Sequence, residues 1–252
     1  MVKDFTINRT KECEDLMRPE VKELLDLTLE EKIGKSKEII KEAFEKYNKV
    51  GLGFSGGTDS LILLNLILQV KPDVPVVFVD TQHDAPETYA FIDKVRREWH
   101  IVNFTAVMAE KDQVKEFAEK FGMRSPEFTE KCCNYHKISP MMKAIKDIGF
   151  DAFLVGLRGV EHEERAKEQF FSPRTNPQHI RVHPLIFWRR DDVMEFVKRF
   201  NLECNPLYKQ GFTSLGCVEC TDKNPNPEMH ERAGRGEVRE TIMQKLRELG
   251  YT

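Results

Sequence analysis

The stretch from Val50 to Leu64, VGLGFSGGTDSLILL, restricts what this chain can fold into more than any other. Gly51 to Phe54 lie in a short apolar run that predicts a buried strand. Ser55, Gly56, Gly57, Thr58, Asp59 and Ser60 then form a glycine turn, and from Leu61 onward the apolar residues have helical spacing. Strand, tight turn and helix start together make a cradle for an anion. Glycines let a phosphate approach the backbone, while the unpaired N–H groups of the helix start, the hydroxyls of Ser55 and Ser60 and the local dipole favour negative charge. Asp59 would repel a bare phosphate, so its expected part is to hold Mg2+ or to orient the turn. A glycine pair alone is equally an ordinary, well-capped strand-to-helix turn; the reading rests on the whole string SGGTDS. No lysine follows the glycines, which excludes the common nucleotidase loop GxxxxGK[ST].

The 252 residues can hold one large α/β domain with short extensions. Hydrophobic content of 40% with 32% charge describes a soluble globular protein, and a formal net charge of -3 provides no global basic field for nucleic acid. A local patch around Arg174, Arg181, Arg189 and Arg190 stays open. No apolar run reaches membrane-spanning length, and MVKDFTINRTKECEDLM has no signal-peptide pattern, so a cytoplasmic protein with no membrane association is expected. In that setting six cysteines, at 13, 132, 133, 204, 217 and 220, argue for metal or redox chemistry over structural disulfides.

Residues 1 to about 26 are polar and weakly periodic, and read as an arm packed on the body or on a partner. Leu29 to Tyr47 places Ile33, Ile39, Ile40 and Phe44 on one helical face, as a covering helix does. Val74 to Val79 predicts a second strand, Glu87 to Trp99 a helix, Ile101 to Val107 a third strand, Lys111 to Phe121 a helix and Phe153 to Gly156 a fourth strand. Strands alternating with helices give a doubly wound, mostly parallel sheet with helices on both faces. Ligands of such sheets lie beyond the carboxyl ends of the strands, where Ser55, Asp80 and Arg158 all fall. Pro173, Pro177 and Pro184 break the following stretch into loop. Asp191 to Phe200 reads as a short helix, and Asn224 to Glu237, rich in Pro, Gly and charge, as mobile.

Cys132-Cys133 and Cys217-Val218-Glu219-Cys220 are the second chemical signal. Four thiolates in two tight pairs suit a structural zinc or a 4Fe-4S cluster. Neighbouring cysteines on one backbone segment are awkward for a tetrahedral zinc and less so for a cube. Cys13 and Cys204 fall outside the pattern and also read as buried, inert thiols.

SGGTDS resembles the PP-loop of the adenine nucleotide alpha hydrolase-like superfamily, which binds ATP or an adenylylated compound. With VDTQHDAPETY at 79–89, KCCNYHKISPM at 131–141, GLRGVEHEERA at 156–166, HPLIFW before Asp191-Asp192-Val193, and NPLYKQGFTSLGCVECT at 205–221 followed by ERAGR, the chain resembles the phosphoadenylyl-sulfate and adenylyl-sulfate reductase family from about residue 29 to 235. The resemblance implies a 4Fe-4S cluster on Cys132, Cys133, Cys217 and Cys220, as in the branch that usually takes adenylyl sulfate. It implies that Ser55, Gly56, Gly57, Thr58, Asp59 and Ser60 hold the phosphate or sulfate end of the nucleotide, that Asp80 and Thr81 line its pocket, and that Arg158 and Arg165 neutralise the anion. Guanidinium forks suit phosphate and sulfate oxygens; the bland alternative for both arginines is an ion pair with Glu161 or Glu164. Lys131 beside the cysteines is either a charge near the cluster or a solvated lysine, and His136 stands where the family usually has arginine. The expected organisation is an N-terminal arm at 1–28, a PP-loop domain with the iron-sulfur site at 29–222, and a tail at 223–252.

The tail departs from the family. Reductases of this kind carry a tail cysteine that attacks the sulfate sulfur and forms a thiosulfonate; here no cysteine follows Cys220, and RGEVRETIMQKLRELGYT resembles the tail of the small subunit of bacterial sulfate adenylyltransferase. Three functions are therefore carried forward. The first is reduction of adenylyl sulfate or phosphoadenylyl sulfate to sulfite, with Cys13 on the arm as substitute nucleophile and a thiol donor such as thioredoxin. The second is an ATP pyrophosphatase that adenylates an acceptor for sulfur transfer, of the DNA phosphorothioation or tRNA thiolation type, with a sulfur-donor protein and a nucleic-acid partner. The third is a non-enzymatic nucleotide- or cluster-binding subunit of a larger complex; a sulfate adenylyltransferase-like subunit and a homo-oligomer also stay open.

Overall fold

Four apolar runs become the parallel core of one six-stranded sheet in the computed structural model, which describes residues 5–225 and 230–251. They are β1 (Val50–Gly53), β2 (Val76–Asp80), β3 (Phe104–Met108) and β4 (Ala152–Leu154), joined by β5 (Phe171–Thr175) and β6 (Gln178–Val182) in the order β3-β2-β1-β4-β6-β5. Leu52 is in register with Val76 on one side, and Val50 with Ala152 on the other. All pairs are parallel except β5 with β6. From β1 the chain moves outward to β2 and β3, then returns to place β4 on the opposite flank. Because parallel crossovers are right-handed, this reversal puts the connecting helices on opposite faces and opens a crevice between the carboxyl ends of β1 and β4.

The helix after β1, Thr58–Leu68, is apolar nearly all round, and Leu61, Ile62, Leu63, Leu64 and Ile67 have no exposed surface. An internal helix of this kind fixes the PP-loop from behind. Leu29–Lys46 covers the sheet as expected: Ile33, Ile39 and Ile40 are buried, and Thr28 and Glu31 form a capping box at its start. No helix among the described residues is long and apolar enough to cross a membrane.

Three expectations need correction. The first is Cys13 as substitute nucleophile: the described part of the N-terminal arm packs on the body, one of the two arrangements expected, and Cys13, Met17, Val21 and Leu25 enter the main core. The helix that carries Cys13, Phe5–Leu16, packs on the turn Gly159–Glu161 and on the helix Glu163–Ala166. Cys13 has 0% exposure, so it cannot be a nucleophile on a mobile segment. The stretch after Phe170 is a hairpin, β5 and β6, because Pro173 sits on the edge strand, where a missing N–H is tolerated. Asn224, Arg232 and Arg235 are buried, and the Asn224 amide donates to Thr213 Oγ1 at 2.9 Å. The segment expected to be mobile is therefore packed wherever it is described; 226–229 lie outside the described residues. Beyond it the helices Glu237–Thr241 and Met243–Glu248 return to the body, with Met243 and Leu246 buried beside Cys133 and Ile138.

Candidate active site

The PP-loop is held open by its own hydroxyls. Ser60 Oγ donates to the Gly57 carbonyl at 2.8 Å and accepts from the Ser55 N–H at 3.2 Å, while the Thr58 N–H donates to the Tyr208 hydroxyl at 3.1 Å. Gly56 adopts φ +74, and a Cβ there would lie 3.1 Å from Ile92; this turn needs glycine at that position. Gly156, just past β4, presses on the helix start, since a Cβ on it would sit 2.8 Å from the backbone of Asp59 and Ser60.

The crevice lies where the topology reverses. Gly53, Phe54, Ser55 and Ser60 come from β1 and its loop, Val77 to Val79 from β2, and Val155 to Leu157 from the end of β4. The walls are largely apolar and the polar groups few: Lys137, Arg165 and Arg181 bring positive charge, and Tyr251 arrives from the C-terminal segment. This combination suits a flat aromatic base with an anionic tail. Arg181, read in the sequence as part of a nucleic-acid patch, was not expected in the crevice because β6 was not recognised; it is 1% exposed and lies over the Phe153 ring at 5.7 Å. Burial lowers its pKa to about 9.

Arg158 is placed otherwise than expected. Its Nε donates to Asp59 at 2.9 Å and its Nη2 to Glu231 at 2.6 Å, with Glu161 at 3.7 Å. Carboxylates already balance its charge, so it ties the PP-loop to the ERAGR segment in place of clamping a ligand. Burial pushes the Asp59 carboxyl up to about 6 despite the pull of Arg158. Mg2+ at Asp59 would have to compete with this ion pair. Arg165 does reach the crevice, in an ion pair with Glu161. Asp80 Oδ1 accepts from the Gln82 N–H at 2.7 Å and the Tyr89 hydroxyl at 2.8 Å, which shapes the turn after β2, and Asp84 is the aspartate that lines the crevice. Thr58, Asp59 and Arg158 instead face a wider cavity of about 900 Å³ behind the loop, together with Cys204 and Tyr208.

Cys132, Cys133, Cys217 and Cys220 line a single small cavity, and none is in a disulfide. The first pair ends the helix Pro126–Cys133, where the chain passes through a π-helical turn, Asn134–Ile138; the second brackets the turn Val218–Cys220. Thr81, expected beside the nucleotide, belongs to this cavity: Cys217 Sγ donates to its hydroxyl at 3.4 Å. Burial and the neighbouring thiols push the Cys220 thiol up to about 11 and Cys132 further still. Cations stand against them. Arg239 Nη1 donates to Cys133 Sγ at 3.0 Å, and Arg235 and Arg239 are each 3% exposed. His136 is buried, and its Nε2 accepts from the Gln113 N–H at 3.2 Å. The buried His136 Nδ1, Arg235 Nε and Arg239 Nε have no hydrogen-bond partner among the described residues. Among the same residues no three Cys, His, Asp or Glu are grouped for a single metal ion. Lys131 lies outside the cavity, while Lys137, which sequence reading passed over, lines both the thiol cavity and the crevice. Three of the four arginines suggested as a nucleic-acid patch are engaged elsewhere: Arg181 is buried, Arg174 pairs with Glu168, and Arg189 pairs with Glu14 and Asp26, while Arg190 lines the wider cavity.

Against known proteins, the phosphoadenosine phosphosulfate reductase domain matches residues 49–223. The chain belongs to this family. Among its relatives, the adenosine 5'-phosphosulfate reductase of Anoxybacillus flavithermus is 36% identical over 172 residues, which cover 66% of this chain and 70% of that protein. The one from Staphylococcus saprophyticus is 30% identical over 220 residues, covering 86% and 88%. Among solved structures, the phosphoadenylyl-sulfate reductase of Candida auris in a phosphate complex has a TM-score of 0.60 at 22% identity, over 80% of this chain and 96% of that one. FMN adenylyltransferase of Candida glabrata, with FAD and inorganic pyrophosphate, has a TM-score of 0.62 at 20% identity, over 86% and 75%. At these identities the structural likeness is one of fold.

Proposed function

We propose that this chain is an adenylyl-sulfate reductase of sulfur metabolism, binding the nucleotide in the crevice between β1 and β4 and a 4Fe-4S cluster on Cys132, Cys133, Cys217 and Cys220. The observation that carries the reading is adjacency: Lys137 lines both the thiol cavity and the crevice. The donor set supports the cluster, because four thiols gathered on one cavity, Cys133 buried and the other three half-buried, would as thiolates repel one another and need a positive centre, and unpartnered N–H groups of His136, Arg235 and Arg239 can meet thiolate or sulfide. When bound, the cluster supplies a redox-active, charge-bearing group beside the substrate. The chain's own part is to bind and orient. Apolar walls from β2 and β4 take the base, the hydroxyls of Ser55 and Ser60 take the first anionic oxygens, and Lys137 and Arg165 draw charge from the sulfate. A donor thiolate, of the thioredoxin kind, attacks the sulfur, the S–O bond breaks and AMP leaves. A second donor thiol then releases sulfite and closes a disulfide, so the two electrons come from the dithiol.

The test is anaerobic protein incubated with adenylyl sulfate and a dithiol donor, reading sulfite, AMP and iron. Sulfite and AMP in equal amounts, with about four irons per chain for four-thiolate ligation, are expected, and phosphoadenylyl sulfate run in parallel fixes the substrate. A protein that carries zinc, makes no sulfite and releases pyrophosphate from ATP would overturn the reading. That outcome belongs to acceptor adenylation, which the 900 Å³ cavity beside Thr58 and Asp59 has the room to serve.

A further inference from the structure

Tyr251 is remote in sequence from every other wall of the nucleotide crevice, yet its side chain forms part of that wall. The charges of Arg239, Lys137, Arg235 and Arg165 act on its hydroxyl. The Arg239 guanidinium lies 4.9 Å and the Lys137 ammonium 5.4 Å from the ring centroid. Lys137 and Arg165 are also the cations that a phosphate or sulfate ester entering the crevice would need. With the ring in place the crevice holds about 180 Å³, below the roughly 300 Å³ at the lower end of small-molecule sites. The ring thus takes both the volume and the charge that a nucleotide requires.

We propose that Tyr251 is a built-in plug of the anion subsite, which an adenine nucleotide must displace in order to bind. The proposal rests on the nucleotide reading of the crevice and adds a competitor to it. Local geometry provides the pivot. Gly250 stands at φ +97, and the Tyr251 N–H donates to the Leu246 carbonyl at 2.9 Å. Upstream, Met243 and Leu246 anchor the helix Met243–Glu248 in the body. The swing starts at Gly250, at the cost of two backbone hydrogen bonds, Gly250 N–H to the Arg247 carbonyl and Tyr251 N–H to the Leu246 carbonyl, the hydrogen bond of Arg239 to the Tyr251 hydroxyl, and the contacts of a partly exposed ring. The movement also reaches the thiol cavity. Arg239, which the ring covers, is the residue that donates to Cys133 Sγ, so displacement of the plug changes what stands against that thiol.

The experiment is calorimetric titration of the full anaerobic chain with AMP and with adenylyl sulfate, for the unaltered protein, Tyr251→Ala and Tyr251→Phe. A plug seated nine-tenths of the time raises the apparent Kd about tenfold. Tyr251→Ala is therefore expected to bind AMP several-fold to about tenfold more tightly, with Tyr251→Phe, which keeps the ring and loses the hydroxyl, in between. Unchanged or weaker binding by Tyr251→Ala would overturn the plug, and weaker binding would make the ring a ligand contact. If none of the three proteins bound either nucleotide, the nucleotide reading would fall and the plug with it. Binding that is equal in all three would remove the plug alone.

Discussion

Arg158 shows how one residue can hold a site together without touching a ligand. Its guanidinium is 2% exposed and faces Asp59, Glu161 and Glu231. Replacing one partner of a buried ion pair costs more than the pair contributes, because the other charges remain buried. Arg158→Met, close in size but neutral, is expected to lose about 3–5 kcal/mol of stability, measured by anaerobic urea unfolding. The same experiment carries an internal check. Without the guanidinium Asp59, already raised by burial, loses the charge that pulls it down and holds its proton more tightly in the folded than in the unfolded state, so stability should recover as pH falls. The deficit should therefore be smaller at pH 5 than at pH 8; an equal deficit at both would show that shape, and not uncompensated charge, is what the variant loses.

At the scale of elements, the contact between β4 and the PP-loop decides whether the crevice exists. Gly156→Ala would drive a Cβ into the backbone of Asp59 and Ser60, and neither backbone can move without shifting the helix Thr58–Leu68. A loss of about 1–3 kcal/mol, typical of overpacking, together with weaker AMP binding, is expected from thermal unfolding and calorimetry. Gly57→Ala is the control: its Cβ would lie an ordinary 3.5 Å from Ser55 Oγ and the Tyr208 hydroxyl, so the fold should be nearly unaffected. Gly156→Ala binding AMP as the unaltered chain does would show that the crevice tolerates movement of β4. The same elements mark what the sequence could tell. The strand, glycine turn and helix around SGGTDS were legible because they are written in adjacent residues, and β2 to β4 because parallel strands are apolar runs. The hairpin β5–β6 was not, since Pro173 reads as a breaker until the strand is known to be an edge. The buried arm did carry a signal, a four-residue recurrence of Cys13, Met17, Val21 and Leu25, which the surrounding charge obscured. Thr81 fell to the wrong cavity because one step past a strand end decides which side a residue faces. Tyr251 had no local signal, because only the return of the C-terminal segment brings it to the crevice.

Over the whole molecule, buried titratable groups set how the fold responds to acid. Burial pushes His179 and His183 down to about 4 from 6.5. The unfolded chain therefore binds more protons than the folded one between those values, and stability falls as pH drops through that range. The carboxylates continue the trend. Burial alone would raise Glu240, but the charge of Arg232, 2.8 Å away, holds it at about 2 against an ordinary 4.5. Glu168 is likewise raised by burial and brought to about 2 by the charge of His183, the Ser172 hydroxyl, and Arg174 and Arg247. Each contributes stability that is complete above pH 4.5 and is lost as pH falls toward 2. Asp59, raised to about 6, and His83, also raised, work the other way, but the lowered carboxylates and histidines, Glu161, His136 and His162 among them, outnumber these two. The melting temperature is thus expected to be highest above pH 6.5 and to fall in two stages, through the histidines and then through the carboxylates. Position adds a structural consequence: Glu240 ties Arg232 of the ERAGR segment to the C-terminal helices, and Glu168 holds Arg247 at 2.7 Å. The second stage should therefore release the segment that carries Tyr251 before the sheet unfolds, which hydrogen exchange resolved along the chain can follow as pH falls from 4.5 toward 2. Glu240→Gln should bring the release of 230–251 to neutral pH and leave exchange in β1, β2 and β4 slow. Uniform loss of protection across the sheet and the segment together would refute this order of events.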